Sequence, residues 1–258
     1  MIAIVSAAAV VVAAGVAGFL VLSGGEDDNA QPKPTGSASA GSSPSGSATG
    51  GDNPRAGNNT GAVVPGWKTV ARGAIAYDVP PQWGLKAKDW VSYVADDRDP
   101  EETPLVGFGG AATLKEQWCR SDDDRNGSQE DTALATVGTR TEGDATSAAE
   151  AAASNAELWV YGGYAQPDKN KIKTSAVEDY TTASGIKGSL VTATSAGVDK
   201  TGKCATDGKA VAFVFRNADN DFKSWTFIGA KGVQDEVPDA TVRKILSTLR
   251  LSGGAKAS

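Results

Sequence analysis

Acidic side chains at short spacing are the residues of this chain best suited to chemistry, and they cluster twice. Asp122-Asp123-Asp124-Arg125-Asn126-Gly127 places Asp122, Asp124, Asn126 and Gly127 in the D-x-D-x-N-G opening of a calcium loop. In such a loop alternate side-chain oxygens converge on the cation and the glycine permits the turn. The twelfth position, which supplies a bidentate Glu in a complete loop, is Ala133, and Glu130 or Asp131 could replace it only along a different path. A solvated acidic turn accounts for the same residues. The second cluster is Asp96-Asp97-Arg98-Asp99 with Glu101-Glu102. Glycosidases need two carboxylates about 5–9.5 Å apart; a charged loop around Pro100 is the simpler reading. Gly107-Phe108-Gly109-Gly110 lacks the Lys-Ser/Thr ending of a phosphate loop, so its glycines are expected in a bent strand.

Histidine is absent from all 258 residues. That removes the usual base of a Ser or Cys triad and the commonest zinc ligand together. Carboxylate-based enzymes remain open to such a chain. We assign no catalytic, cofactor or metal residues from the sequence. A net charge of −6 argues against a surface that tracks nucleic-acid phosphates. The two cysteines, Cys119 and Cys204, are far apart, as a structural disulfide of an exported domain would have them; two free thiols are the alternative. Their spacing excludes a C-x-x-C redox pair. Six tryptophans (Trp67, Trp83, Trp90, Trp118, Trp159 and Trp225) could build a carbohydrate or peptide surface, although Trp159 and Trp225 sit on core stripes.

The elements that must position these groups begin with an anchor. Residues 2–22 carry no charge, and at about 1.5 Å per residue they span roughly 31 Å, the thickness of a hydrocarbon core. A cleaved signal has a shorter apolar stretch and a small-residue exit, whereas this run ends in Phe19-Leu20-Val21-Leu22. A signal anchor over 1–22 is therefore favoured over a cleaved signal. The acidic flank Glu26-Asp27-Asp28 places the bulk of the chain outside a bacterial cell membrane. No basic residue precedes the run, which suggests a true start upstream. Residues 23–62 are rich in Gly, Ser, Pro and Ala, with almost no large apolar side chain, and are expected to be a disordered linker. As a flexible coil such a linker reaches about 35 Å. An extracytoplasmic globular domain fills 63–252, and 253–258 are a flexible tail.

Within the domain, 72–79 alternate as one half-buried strand, with Ile75, Tyr77 and Val79 inward and Asp78 outward. Residues 90–94, 105–114, 133–141 and 180–194 are further strands. Residues 210–216 and 222–230 flank the turn Asn217-Ala218-Asp219-Asn220-Asp221 as a hairpin, with Val211, Phe213 and Phe215 inward. Ser147-Ala148-Ala149-Glu150 is a capping box opening a helix with Ala152, Ala156 and Trp159 on one stripe, and Gly162-Gly163 end it. A last helix over 239–251 carries Val242, Ile245, Leu246 and Leu249 on one face and Arg250 at its C-terminal dipole. Strands in runs, with one helix between and one at the end, predict an α+β fold: an antiparallel sheet with packed helices.

Trp67-Lys68-Thr69-Val70 followed by Ala76-Tyr77-Asp78-Val79-Pro80-Pro81-Gln82-Trp83, with the closing Asp239-Ala240-Thr241-Val242-Arg243-Lys244-Ile245-Leu246-Ser247-Thr248-Leu249, resembles PsbP-like domains, including lipoproteins of the LpqN type. With its anchor and linker the chain also looks like envelope proteins of actinobacteria. The resemblance implies an α/β/α sandwich and a non-enzymatic binding or accessory role, and carries no functional residue across. Two functions are thus expected. The first is a membrane-anchored envelope protein that binds a protein or glycan partner without chemistry. The alternative is a His-free hydrolase or transferase of the cell wall that uses carboxylates.

Overall fold

The computed structural model describes residues 63–252 except 124 and 126. The expected anchor, linker and tail lie outside these. Among the described residues no helix is long and apolar enough to cross a membrane.

The chain runs through β1 (Lys68–Arg72), β2 (Ile75–Val79), β3 (Gly84–Leu85), β4 (Val91–Ala95), β5 (Pro104–Leu114), β6 (Cys119–Ser121), β7 (Glu130–Thr132) and β8 (Ala135–Thr141). Helix α1 (Ala148–Val160) follows, then β9 (Ile172–Thr174), β10 (Glu178–Thr181), β11 (Lys187–Ser195), β12 (Asp207–Arg216), β13 (Phe222–Lys231), α2 (Asp239–Ser247) and β14 (Arg250–Leu251). The main sheet is antiparallel, in the order β10-β11-β12-β13-β8-β5-β3, with β4 also on β5 and β9 also on β11. A second sheet is β1-β2-β14, and β6-β7 form a short ribbon. The fold is α+β, as expected: mostly antiparallel sheet with two helices.

Alternation along the central strands divides the core in two. Val211, Phe213, Phe215, Trp225 and Phe227 face α2 and the β1-β2-β14 sheet, where Tyr77, Trp83, Val242, Ile245 and Leu246 meet them. Ala210, Ala212, Val214 and Ala193 face α1. The helix answers with Ala152 and Ala156, both 0 % exposed; small residues on both surfaces let it lie close to the sheet. Trp159 packs against Phe108 with ring centroids 4.4 Å apart and ring planes tilted by 33°. At the start of α1, Ser147 Oγ accepts from the Glu150 N–H, while the Glu150 carboxylate accepts from Thr146 Oγ1. The hydrogen bonds thus supply the forward half of the capping box, and Thr146 takes up the acid.

Four expectations are corrected here. Residues 72–79 are not one strand: Arg72 ends β1, and β2 pairs with it from Arg72↔Ile75 to Lys68↔Val79. Strand β2 is buried along its whole length, Asp78 included, because β1 and β14 cover its two edges and the main sheet covers its face. Residues 180–194 split into the hairpin β10-β11, turned by the Thr182 carbonyl and the Gly185 N–H. Gly162-Gly163 do not end the helix; they lie inside a π-helical turn, Tyr161–Ala165. The last helix stops at Ser247, and Arg250 belongs to β14. Thr248 causes that stop: its hydroxyl bonds the Ile245 carbonyl (2.6 Å) and accepts from the Asp78 N–H (2.8 Å), a partner that helical periodicity does not reveal.

Candidate functional site

Cys119 and Cys204 are joined, with Cα atoms 5.7 Å apart and a sequence separation of 85. The bond fastens the β6-β7 ribbon to the loop that enters β12. A cavity of about 120 Å³ opens beneath this seam. Val94, Trp159, Tyr164 and Ile228 supply its apolar surface; Asp97, Asp123, Glu130 and Asp199 supply its charge. Among the described residues lining it there is no Lys or Arg.

Each acid arrives from a different element. Glu130 opens β7, opposite Ser121 of β6. Asp123 stands in the turn after β6, and its Oδ1 accepts from the Lys203 N–H at 3.4 Å, so it ties the ribbon to the loop across the disulfide. Asp199 lies in that same loop. Asp97 follows β4 and is set by Gln166, whose Oε1 accepts from the Asp97 N–H (2.8 Å) while its amide donates to the carbonyls of Ala95 (2.8 Å) and Gly162 (3.0 Å). The π-helical turn therefore orients both the acid and the aromatic wall. Tyr164 near the end of that turn packs against Gly208, where a Cβ would sit 2.0 Å from the ring.

The Asp96–Asp97 pair divides its labour by environment. Arg98 bonds both oxygens of Asp96 (2.9 and 2.7 Å), and holds its carboxyl well below the usual range. The Asp97 carboxyl is pushed up to about 6, first by loss of solvent at the cavity wall and then by the neighbouring charge of Asp96, with Arg98 opposing. Asp97 as a residue remains exposed; its side chain sits at the mouth of the cavity. Burial likewise raises the Tyr164 hydroxyl. Asp99 is a turn residue, accepting from the N–H groups of Glu101 and Thr103.

The calcium-type sequence is only partly covered, since Asp124 and Asn126 lie outside the described residues. The Asp122 carboxylate accepts from the Gly127 N–H (3.3 and 3.2 Å). Asp131 is held by Arg120 (2.7 Å) and Gln117 (2.8 Å). Among the described residues no three Asp, Glu, Cys or His side chains are grouped as a metal site. The tryptophans are spread over both core clusters, and no aromatic platform results: Trp83, Trp159 and Trp225 are buried, while Trp67, Trp118 and Trp90 pack against the cores from their margins.

No motif in the sequence pointed to Asp199 or Tyr164, and Glu130 entered only as a replacement at the twelfth position of the calcium-type loop. The signal for their meeting is the cysteine pair, since a bond between 119 and 204 brings the acids on either side of it together.

The family model of DUF8017, a domain of unknown function, matches residues 60–254. The chain belongs to this family. No curated protein matches it. Among solved structures, the DUF8017 chain is similar to a Bacteroides thetaiotaomicron protein solved at 1.50 Å resolution, at 8% identity and a TM-score of 0.32. The alignment covers 74% of this chain and 50% of that one, so it spans half the length of the other protein.

Proposed function

We propose that this protein is a membrane-anchored extracytoplasmic binding module, and that the acidic cavity receives a single cationic group, a lysine-like or amino-sugar ammonium, of an envelope protein or glycan. The carrying observation is the wall of four carboxylates without a facing Lys or Arg over an aromatic floor. Charge of one sign around low-dielectric walls focuses the field on the opposite charge. A volume of about 120 Å³ suits one ring or side-chain head rather than a whole sugar, since a cavity of about 150 Å³ accepts benzene. The disulfide supports export, because such bonds persist in oxidising compartments. The 2–22 run supports the anchor, and helices contributing to the cores on opposite faces of the main sheet suit the finer reading of a PsbP-like α/β/α sandwich.

Titration of the detergent-solubilised full chain with Nα-acetyl-lysine amide, against the uncharged Nα-acetyl-glutamine amide, tests the site. The lysine probe is expected to bind and to quench tryptophan fluorescence. Glu130→Gln with Asp199→Asn is expected to weaken it. Equal binding of both probes defeats the reading. The intact mass of the protein from its native envelope tests the anchor, because an N-terminus beyond residue 22 would show a cleaved signal.

Asp97 favours a second reading, a carboxylate-based hydrolase or transferase of the cell wall. A carboxyl pushed up to about 6 beside other acids has the tuning of a general acid. Release of reducing ends from cell-wall glycan by the wild type, lost in Asp97→Asn, would establish it over the binding module.

A further inference from the structure

A second, larger concavity of about 630 Å³ lies beside the middle of β5, where the β1-β2 turn meets the tip of the β12-β13 hairpin. Its volume is that of a small-molecule site, about 300–1,000 Å³. Ile75, Val91, Phe108 and Leu251 give it an apolar side, and Thr139, Thr141 and Asn217 a polar one. Three cations line it, together with the acids Asp219 and Asp221 at the hairpin tip. Arg140 is committed to the buried Glu142 (3.0 Å), and Lys223 to Asp221 (3.2 Å) and Thr141 (3.0 Å). The Arg72 side chain, by contrast, makes no hydrogen bond, ion pair or ring contact among the described residues.

Arg72, an exposed residue, nevertheless packs closely on the backbone of β5. It lies across Gly109-Gly110, so that a Cβ on Gly109 would fall 1.3 Å from its Nη1 and one on Gly110 2.6 Å from its Cβ. Gly110 has φ +53 at the bulge between β5 and β8, a conformation glycine adopts without strain. From within the core the Tyr77 hydroxyl reaches the Gly110 carbonyl at 2.8 Å and pins that bulge. A guanidinium with no partner among the described residues thus has a bed of two glycines beside a cleft.

We propose that this groove is a carboxylate-binding site, independent of the acidic cavity, in which Arg72 offers its guanidinium fork to the carboxylate of a compact, partly apolar ligand. A bidentate Arg–carboxylate contact is charge-assisted and planar, and the apolar side receives the body of the ligand. A short peptide's C-terminus and a small organic acid share this chemistry.

Calorimetric titration of the solubilised full chain with N-acetyl-dialanine, its C-terminal amide, hexanoate and inorganic phosphate tests the assignment. Either carboxylate is expected to saturate at millimolar concentration or below, with the amide at least about tenfold weaker. Saturation by the peptide alone identifies a peptide terminus, and by hexanoate alone an organic acid. Arg72→Ala and Gly109→Ala should each weaken binding about tenfold or more while leaving the melting curve in place, the second because it only turns the free end of Arg72 aside. Absence of saturation by both carboxylates, amide binding equal to acid, undiminished binding by Arg72→Ala, or preference for phosphate would each overturn it.

Discussion

The Asp78 carboxylate and the Arg250 guanidinium meet at 2.9 Å across 172 residues of sequence. Asp78 is 0 % exposed. Its oxygens also accept from Thr69 Oγ1 (2.9 Å) and from the Val63 N–H (2.6 Å), the first described residue. One carboxylate therefore binds the entry of the domain, β1 and the closing strand β14 together. Removing one member of a buried pair leaves the other charged and without compensation, at a cost of about 3–5 kcal/mol. Asp78→Ala is expected to lower unfolding stability in urea by that order. A change under about 1 kcal/mol would show that the pair does not close the domain.

A second buried acid secures α1. Glu142 Oε1 accepts from Asn155 Nδ2 (2.8 Å) and Ser224 Oγ (2.5 Å), and Oε2 pairs with Arg140 (3.0 Å). Asn155→Ala removes a donor from a carboxylate that stays buried, and should cost about 1–3 kcal/mol. Because α1 carries Trp159, the same variant should speed amide exchange along the helix. Exchange that accelerates equally throughout the chain would speak against a local role.

Reduction of Cys119–Cys204 releases a long loop. In the chain-entropy treatment a loop of this length is worth about 4–5 kcal/mol. The reduced protein should unfold at lower urea concentration, gain two mass units, and exchange amides fastest over 119–132 and 199–206. Cation binding should fall with it, since Cys204 lines the acidic cavity. Unaltered cation binding after confirmed reduction would separate the bond from the site.

Asp97 predicts a pH signature. Its folded pKa is raised from 3.8 to about 6, so between these values the folded chain holds more protons than the unfolded one. Its contribution to stability is therefore fully present below pH 3.8 and lost as pH rises through about 6. Asp96 has the opposite sign: lowered by Arg98, it contributes stability above its ordinary value that is lost on acidification. Urea titrations of Asp97→Asn across pH 3–8 should lack the decline between pH 4 and 6 seen in the wild type. A cationic probe should bind the wild type more tightly above pH 6, and identical profiles for the two proteins would contradict the shift.

Local chemistry made several elements legible. Alternation in 210–216 and 222–230 located a hairpin observed at β12 and β13, and 105–114 became β5 with one residue's difference. The hydroxyl at 147 marked the start of α1, and the even pair of cysteines proved to be bonded. These features follow from neighbours in sequence, or from the simple need of two thiols in one domain.

The misread segments are those whose partners lie far along the chain. Asp78 belongs on a solvent face by alternation, yet Arg250, 172 residues on, makes its burial tolerable. Helical periodicity carries α2 to 251, yet Thr248 has a better partner in the backbone of β2 and the chain leaves the helix to extend that sheet. The acidic cavity is equally nonlocal: Asp97, Asp123, Glu130 and Asp199 converge only after the disulfide and the π-helical turn have brought three loops together. The sequence alone determined the long strands and the start of both helices, because backbone propensity and side-chain alternation act over a few residues. Only the tertiary structure decided which polar groups would be buried and which acids would share a wall, because desolvation and Coulomb attraction depend on distance in space.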